Sequence, residues 1–277
     1  MRLFSPERSN RIRYFWWAAK QVVGSDTTCP SCGNAGTRLV RRKYLVTSLY
    51  ECPDCALRFR VPRETSGKVQ DLYVEESYRQ GFTTALPNPE ELAALLSANF
   101  AHPENHYGRF IAAIQALDLP RDARVLDFGS SWGYGSWQLR QAGFSAFSYE
   151  IGRDRAQFAR DRLGCTMVDD LRTLDGTIDC FFSAHVIEHL PDPNIIFAEA
   201  AKLLAPGGSL ICFCPNGSPT REKLDANYDR YWGQVHPLLI TPEFMKWACK
   251  RHGLELVKIG RGGDEIELLT VARKPAS

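Results

Sequence analysis

VLDFGSSWGYGS, running from Val125 to Ser136, reads as a buried strand that enters a glycine-rich turn and then a helix. Val125 and Leu126 are apolar and strand-like, Asp127 ends the strand, and Gly129, Gly133 and Gly135 leave no Cβ where a backbone approaches a ligand. Such a turn serves a dinucleotide, S-adenosylmethionine (SAM) or tight packing alone, and by itself it leaves these readings open. Phe144 to Tyr149 then suit a second strand ending on Glu150, about where one carboxylate grips two ribose hydroxyls. The competing role for Glu150 is that of an anion at the positive end of the next helix, Arg153 to Leu163.

Working outward, strand and helix periods alternate. Helices are expected at Glu104 to Leu117, Gly135 to Ala142, Arg153 to Leu163, Pro193 to Leu204 and Pro242 to His252. Strands are expected at Arg124 to Asp127, Ala146 to Glu150, Thr166 to Val168, Ile178 to Ser183, Ser209 to Cys214, Leu254 to Ile259 and Ile266 to Ala272. This order predicts an α/β fold, a Rossmann-like, mostly parallel seven-stranded sheet with helices on both faces. Ligands of such sheets gather beyond the carboxyl ends of the strands, where Asp127, Glu150, Asp169, Ser183 to His189 and Pro215-Asn216 all fall.

Three segments in this order resemble the class I SAM-dependent methyltransferase family. DFGSSWG stands where that family carries its D-x-G-x-G-x-G loop, TIDCFFSAHVIEHLPDP resembles its fourth-strand segment, and LLAPGGSLICFCPN its fifth. The resemblance covers roughly residues 105 to 273 and ends on YWGQVHPLLITPEFMKWACKRHGLELVKI, similar to the late helix and sixth strand of small-molecule methyltransferases. It implies SAM as cofactor, with Asp127 and the loop residues Gly129, Ser130, Ser131 and Gly133 at its methionine end, Glu150 at the ribose, Asp169 or its neighbour Asp170 near the adenine, and Ser183 lining the crevice. Ser131 replaces the second glycine of the motif and Trp132 adds bulk beside it, which puts the local loop geometry in question.

A second pattern lies upstream. Cys29-Pro30-Ser31-Cys32 and Cys52-Pro53-Asp54-Cys55 are two C-x-x-C knuckles with 19 residues between them, a spacing suited to a four-thiolate zinc site. Thr37 to Tyr50 can pair as a hairpin, which completes a small zinc ribbon. Four thiolates close the coordination sphere, so this zinc is structural and chemistry is expected elsewhere. Disulfides are the competing account, disfavoured because the chain shows no export signal. Cys165, Cys180, Cys212, Cys214 and Cys249 fall on apolar patterns and read as core.

The organisation expected is an N-terminal helix (1–25), the zinc ribbon (26–63), a connecting segment (64–104) with a helix at Pro89 to Phe100, and the methyltransferase domain (105–277). With 277 residues and 44% hydrophobic content, the chain can bury one sizeable domain and a small appendage. No apolar run approaches the roughly 20 residues that span a bilayer, and a cytoplasmic protein is expected. Ile12 to Val23 is aromatic with basic flanks and is expected to pack on the body, with peripheral membrane contact as the minority reading. Residues 1–70 hold 13 Lys/Arg against 5 Asp/Glu, a balance of +8 in a chain whose net charge is +2. A basic ribbon suits RNA phosphates, the diphosphate of a nucleotide sugar, or solvent alone.

SAM brings an already activated methyl group, so the protein has mainly to position a nucleophile and take its proton. His185, Glu188 and His189 follow the fourth strand, and His236 sits in a polar-aromatic loop, Tyr228 to His236, expected to overhang the cleft. His189 and His236 are the candidate general bases, with Glu188 orienting. An Asn-Pro-Pro-Tyr signature for amino-group acceptors is absent, the comparable strand end reading Ser183-Ala184-His185. The resemblance to sugar and polysaccharide-pathway methyltransferases implies a hydroxyl, less readily a carbon, of a saccharide, nucleotide sugar or similar small metabolite as acceptor. The alternatives are an RNA methyltransferase gripping through the basic ribbon and a non-catalytic SAM-binding regulator, the latter suggested by Ser131.

Overall fold

The computed structural model describes residues 6–63, 85–233, 236–263 and 266–276. Two sheets carry the architecture. The larger is built from β4 (Arg124–Phe128), β5 (Ser145–Tyr149), β6 (Thr166–Met167), β7 (Ile178–Ala184), β8 (Leu204–Pro215), β10 (Glu255–Arg261) and β11 (Glu267–Arg273). Their order is β10-β11-β8-β7-β4-β5-β6. β8, β7, β4, β5 and β6 run parallel, and β11 lies antiparallel between β8 and β10. The strand order reverses at β4, which places a crevice between β4 and β7 at their carboxyl ends, where open α/β sheets bind ligands.

The core follows from strand alternation. Leu126, Phe128 and Phe181 enter the apolar layer on one face, while Val125, Cys180 and Phe182 enter the other. The helices α3 (Gly108–Gln115), α4 (Tyr134–Gln141), α5 (Arg153–Leu163), α6 (Asn194–Leu203) and α8 (Pro242–Arg251) accompany the sheet, and α2 (Pro89–Ser97) precedes them. α2 starts where Asn88 and Glu91 form a capping box behind Pro89. α2 ends at Ser97, short of the Phe100 expected, and two further elements depart at their starts. α3 begins at Gly108 rather than Glu104, with Tyr107 N–H donating to Gln138 Oε1 (2.9 Å) just before it. β8 starts at Leu204, because the Gly207-Gly208 turn is hydrogen-bonded to Lys274 and continues the ladder.

The smaller sheet joins β1 (Arg38–Lys43), β2 (Thr47–Glu51) and β3 (Arg58–Val61) to β9 (Leu238–Leu239), a two-residue strand supplied by the part of the chain that carries the larger sheet. The ribbon is therefore built into the larger domain rather than appended to it. Leu57, Phe59 and Val61 share an apolar layer with Ile187, Leu238, Ile240 and Phe244, and Thr241 Oγ1 donates to the Ala56 carbonyl (2.9 Å). Three basic residues of the ribbon are engaged at this junction. Arg58, almost fully buried, pairs with Glu51 and Glu222 at 2.7 Å each, Lys43 Nζ donates to the carbonyls of Asp229 and Trp232, and Arg41 faces Glu222 and Asp229.

The helix α1 (Pro6–Gln21) lies against the ribbon through Tyr14 and Trp17, which flank the Arg60 guanidinium. Ile12, Phe15 and Trp16 remain exposed. Among the described residues no helix is long and apolar enough to cross a membrane. Of the connecting segment, residues 64–84 lie outside the described chain.

Candidate active site and zinc cluster

Asp127 closes β4 and is 1% exposed. Burial pushes its carboxyl up to about 7, against the Ser136 hydroxyl, which donates to Oδ2 at 2.7 Å and holds the ionised form. The loop after it is tied to β5, since Gly129 N–H and Ser130 N–H both donate to the Tyr149 carbonyl. Ser131 keeps the left-handed backbone (φ 51°) that the motif's glycine would adopt, and its N–H donates to Glu150 Oε2 at 3.0 Å. Trp132, the bulky residue beside Ser131, has its side chain buried. Its ring packs against Phe100, Tyr134 and Phe158.

Two loop glycines meet protein rather than open space. A Cβ on Gly129 (φ +84°) would lie 2.4 Å from Val186 Cγ2, and one on Gly133 (φ +87°) would lie 2.7 Å from Ala159 Cβ. They allow close packing of the turn, which in turn positions its N–H groups. Gly133→Ala is therefore expected to destabilise the fold by about 2–4 kcal/mol, combining left-handed strain with overpacking. Denaturant unfolding checks this, and a change below about 0.5 kcal/mol would contradict it.

Glu150 takes the helix-start role weighed for it. Its Oε1 accepts from Gly152 N–H, at the start of α5, and from Arg155 Nη2 at 2.8 Å. Its Oε2 accepts from Ser131 N–H. Arg155, as buried as the carboxylate, was missed in the sequence, where it looks like any arginine in the first turn of a helix. Asp169 is exposed and pairs with Arg160 (3.1 Å). Asp170 caps the short 3-10 turn Leu171–Leu174 and is bound twice over by Arg172, which lowers its pKa. Ser183 is fully buried in β7, and its hydroxyl, like those of Ser130 and Ser131, has no hydrogen-bond partner among the described residues.

Beyond β7 the chain turns sharply at His185, whose backbone is left-handed (φ 56°), and Val186 packs on Gly129. Glu188, 1% exposed, faces His185 Nδ1 at 3.4 Å and His189 Nε2 at 4.0 Å. His189 and His236 are brought together with ring centroids 4.7 Å apart. Their ligand atoms and that of Glu188 all lie within 4.8 Å of one another. Burial opposes ionisation of Glu188, yet the three surrounding imidazoles prevail and lower its carboxyl to about 2. His236 is driven down to about 4 by burial and by its neighbour His189, so it is neutral near pH 7.

The sequence expectation for the Tyr228 to His236 loop is corrected. Tyr228 and Trp232 do not overhang the cleft but are buried with Leu49 and Leu239 at the ribbon junction; residues 234–235 lie outside the described chain. His236 alone of the residues named there reaches the site. His185 has a partner that sequence could not supply. Its Nε2 meets Glu267 Oε1 at 2.8 Å, and Glu267 in turn pairs closely with Arg109. A buried acid opening the apolar strand ELLTVAR was the one faint signal for it.

In the ribbon, Cys29 Sγ stands 3.6 Å from Cys55 Sγ, and Cys32 Sγ 3.4 Å from Cys52 Sγ. A tetrahedral zinc with bonds of ~2.3 Å places its sulfurs ~3.8 Å apart, so the four thiols are free and arranged to hold a structural zinc. Cys165, Cys180, Cys212, Cys214 and Cys249 are buried core residues, as expected.

Residues 100–259, more than half of the chain, match the Methyltransf_23 methyltransferase-domain family, and the chain belongs to it. Its seven-stranded sheet is that of the class I SAM-dependent methyltransferases. Methyltransferase GfsG of Streptomyces halstedii is 26% identical over 136 residues, covering 45% of this chain and 46% of that protein. A ubiquinone biosynthesis O-methyltransferase of Xanthomonas oryzae is 30% identical over 113 residues, covering 37% of this chain and 47% of that protein. The chain spans about half the length of the curated relatives it matches. Magnesium protoporphyrin IX methyltransferase from Synechocystis, solved with bound SAH, shares the fold at TM-score 0.55 and 15% identity, covering 76% of this chain and all of that one.

Proposed function

We propose that this chain transfers the methyl group of SAM to a hydroxyl of a saccharide, nucleotide sugar or similar small metabolite. The observation that carries the reading is the convergence of Glu188, His189 and His236 where the β7 exit packs on the glycine loop. The relative named as an O-methyltransferase is consistent with a hydroxyl acceptor. In this reading Asp127, with the Ser130 and Ser131 hydroxyls, holds the methionine end of SAM, Glu150 Oε2 takes the ribose, and Asp169 serves the adenine end because Asp170 is engaged in capping. SAM supplies a methyl already activated on a sulfonium. His236, neutral near pH 7, supplies the lone pair that relieves the acceptor hydroxyl of its proton, and Glu188 keeps the neighbouring histidines in place.

The RNA reading is weakened because Arg41, Lys43 and Arg58 point into the ribbon junction. The inactive-scaffold reading is weakened because Ser131 preserves the turn. A labelled-methyl transfer screen over nucleotide sugars, glycans, small phenolic or alcoholic metabolites and RNA tests the proposal. Label is expected in a hydroxylated small molecule. Label in RNA alone, or in nothing, would overturn it.

A further inference from the structure

We propose that Glu188, His189 and His236 form a second metal site, distinct from the four-cysteine cluster, that binds a divalent first-row transition ion and presents the acceptor hydroxyl to the methyl donor. The presentation of the hydroxyl rests on the methyl-transfer reading; the binding of the ion does not.

Three observations carry it. The ligand atoms of the three residues lie within 4.8 Å of one another. An ion with bonds of about 2.1 Å spaces its donors roughly 3–4 Å apart, a contraction that side-chain torsions supply. Glu188 is almost fully buried, yet neither carboxylate oxygen has a hydrogen-bond partner among the described residues, His185 Nδ1 standing 3.4 Å off. The imidazoles that keep it ionised stand 3.4 Å and 4.0 Å from its oxygen, and a coordinated cation supplies the direct bonds that they do not make. Finally, His236 Nδ1–H donates to the Tyr231 carbonyl at 3.1 Å. That bond fixes the tautomer and leaves Nε2 as a lone-pair donor, the arrangement by which outer partners orient a ligating imidazole.

The donor set selects the ion class. Two imidazoles and one carboxylate suit zinc, manganese, iron, cobalt or nickel better than magnesium or calcium, which prefer oxygen. Three protein ligands leave coordination positions open, in contrast to the closed thiolate site. An open position beside the Gly129 loop takes the acceptor oxygen and lowers its pKa, so that the proton passes to solvent and the ion takes over the task of a lone imidazole.

The test uses the full chain with its cysteine site zinc-loaded, titrated calorimetrically with Zn2+, Mn2+ and Co2+ and checked by elemental analysis. One further equivalent is expected. Glu188→Gln and His236→Gln should each weaken its uptake about 100-fold, toward what the remaining two ligands provide, while the zinc of the cysteine site and the thermal melt are retained. If Glu188→Gln fails to fold, His236→Gln decides, since it alters a partly exposed side chain. Uptake of no ion beyond the cysteine-site equivalent, or unchanged uptake by folded variants, overturns the site. A second equivalent without any methyl transfer leaves the site standing and removes the proposed reaction; methyl transfer at full rate with that equivalent chelated removes its catalytic role.

Discussion

Removing the metal from the Cys29, Cys32, Cys52 and Cys55 cluster, or replacing Cys52 by serine, is expected to unfold the ribbon and lower the thermal stability of the whole chain. Structural zinc contributes apparent binding energies on the order of 10 kcal/mol or more in small modules, because the site does not exist in the unfolded chain. Here the effect extends beyond the module. Leu57, Phe59 and Val61 belong to the same apolar layer as Ile187 and Phe244, and β9 would lose β3, its strand partner among the described residues. Loss of Arg58 and Arg41 would strip Glu222, which stays with the larger sheet, of the two cations it faces. Melting curves recorded with and without a strong chelator, paired with colorimetric zinc release, measure this. A melt unchanged after stoichiometric zinc loss would refute a structural role.

Cofactor affinity is expected to fall about tenfold between pH 8 and pH 6. Asp127 in the free protein titrates at about 7, raised by burial, whereas the ammonium of SAM's methionine end favours the carboxylate, so binding at low pH must first expel a proton. The sign for stability is the opposite. The folded chain holds this proton more tightly than the unfolded one, so the contribution of Asp127 to stability is fully present below about pH 4 and is lost as pH rises through about 7. Asp127→Asn imitates the protonated acid and can still accept from Ser136. It should fold as well as the parent at pH 8, bind SAM about 100-fold more weakly, and show no pH dependence between 6 and 8. Calorimetric titration at three pH values reads all of this, and a pH profile that survives in Asp127→Asn would assign the titration to another group.

Much of this arrangement was legible from local pattern. The strand ending on Asp127, the glycine turn and the strand ending on Glu150 were readable because a buried parallel strand and its turn leave marks within a dozen residues. Paired C-x-x-C knuckles are legible for a similar reason, since each pair of ligands comes from one tight turn. Contacts between distant segments were not. Glu267 reaches His185 across 82 positions, Arg58 reaches Glu222 across 164, and β9 is too short to show a period of two. The packing of Trp132 on Phe100, 32 positions away, likewise leaves no local mark. The Tyr228 to Trp232 segment looked like a cleft cover because its aromatic and polar mixture is shared by lids and by buried junctions; its partners in the ribbon decide between them.

SAM is expected to occupy the crevice at the ends of β4, β5 and β7. Titration of the purified chain with SAM and with its demethylated product, alongside Asp127→Ala and Glu150→Gln, addresses this most directly, the glutamine keeping a polar partner for Arg155. One site per chain is predicted, with affinity lost in the first variant and weakened at least tenfold in the second. Absence of binding by the parent chain, or equal affinity in both folded variants, would contradict the assignment.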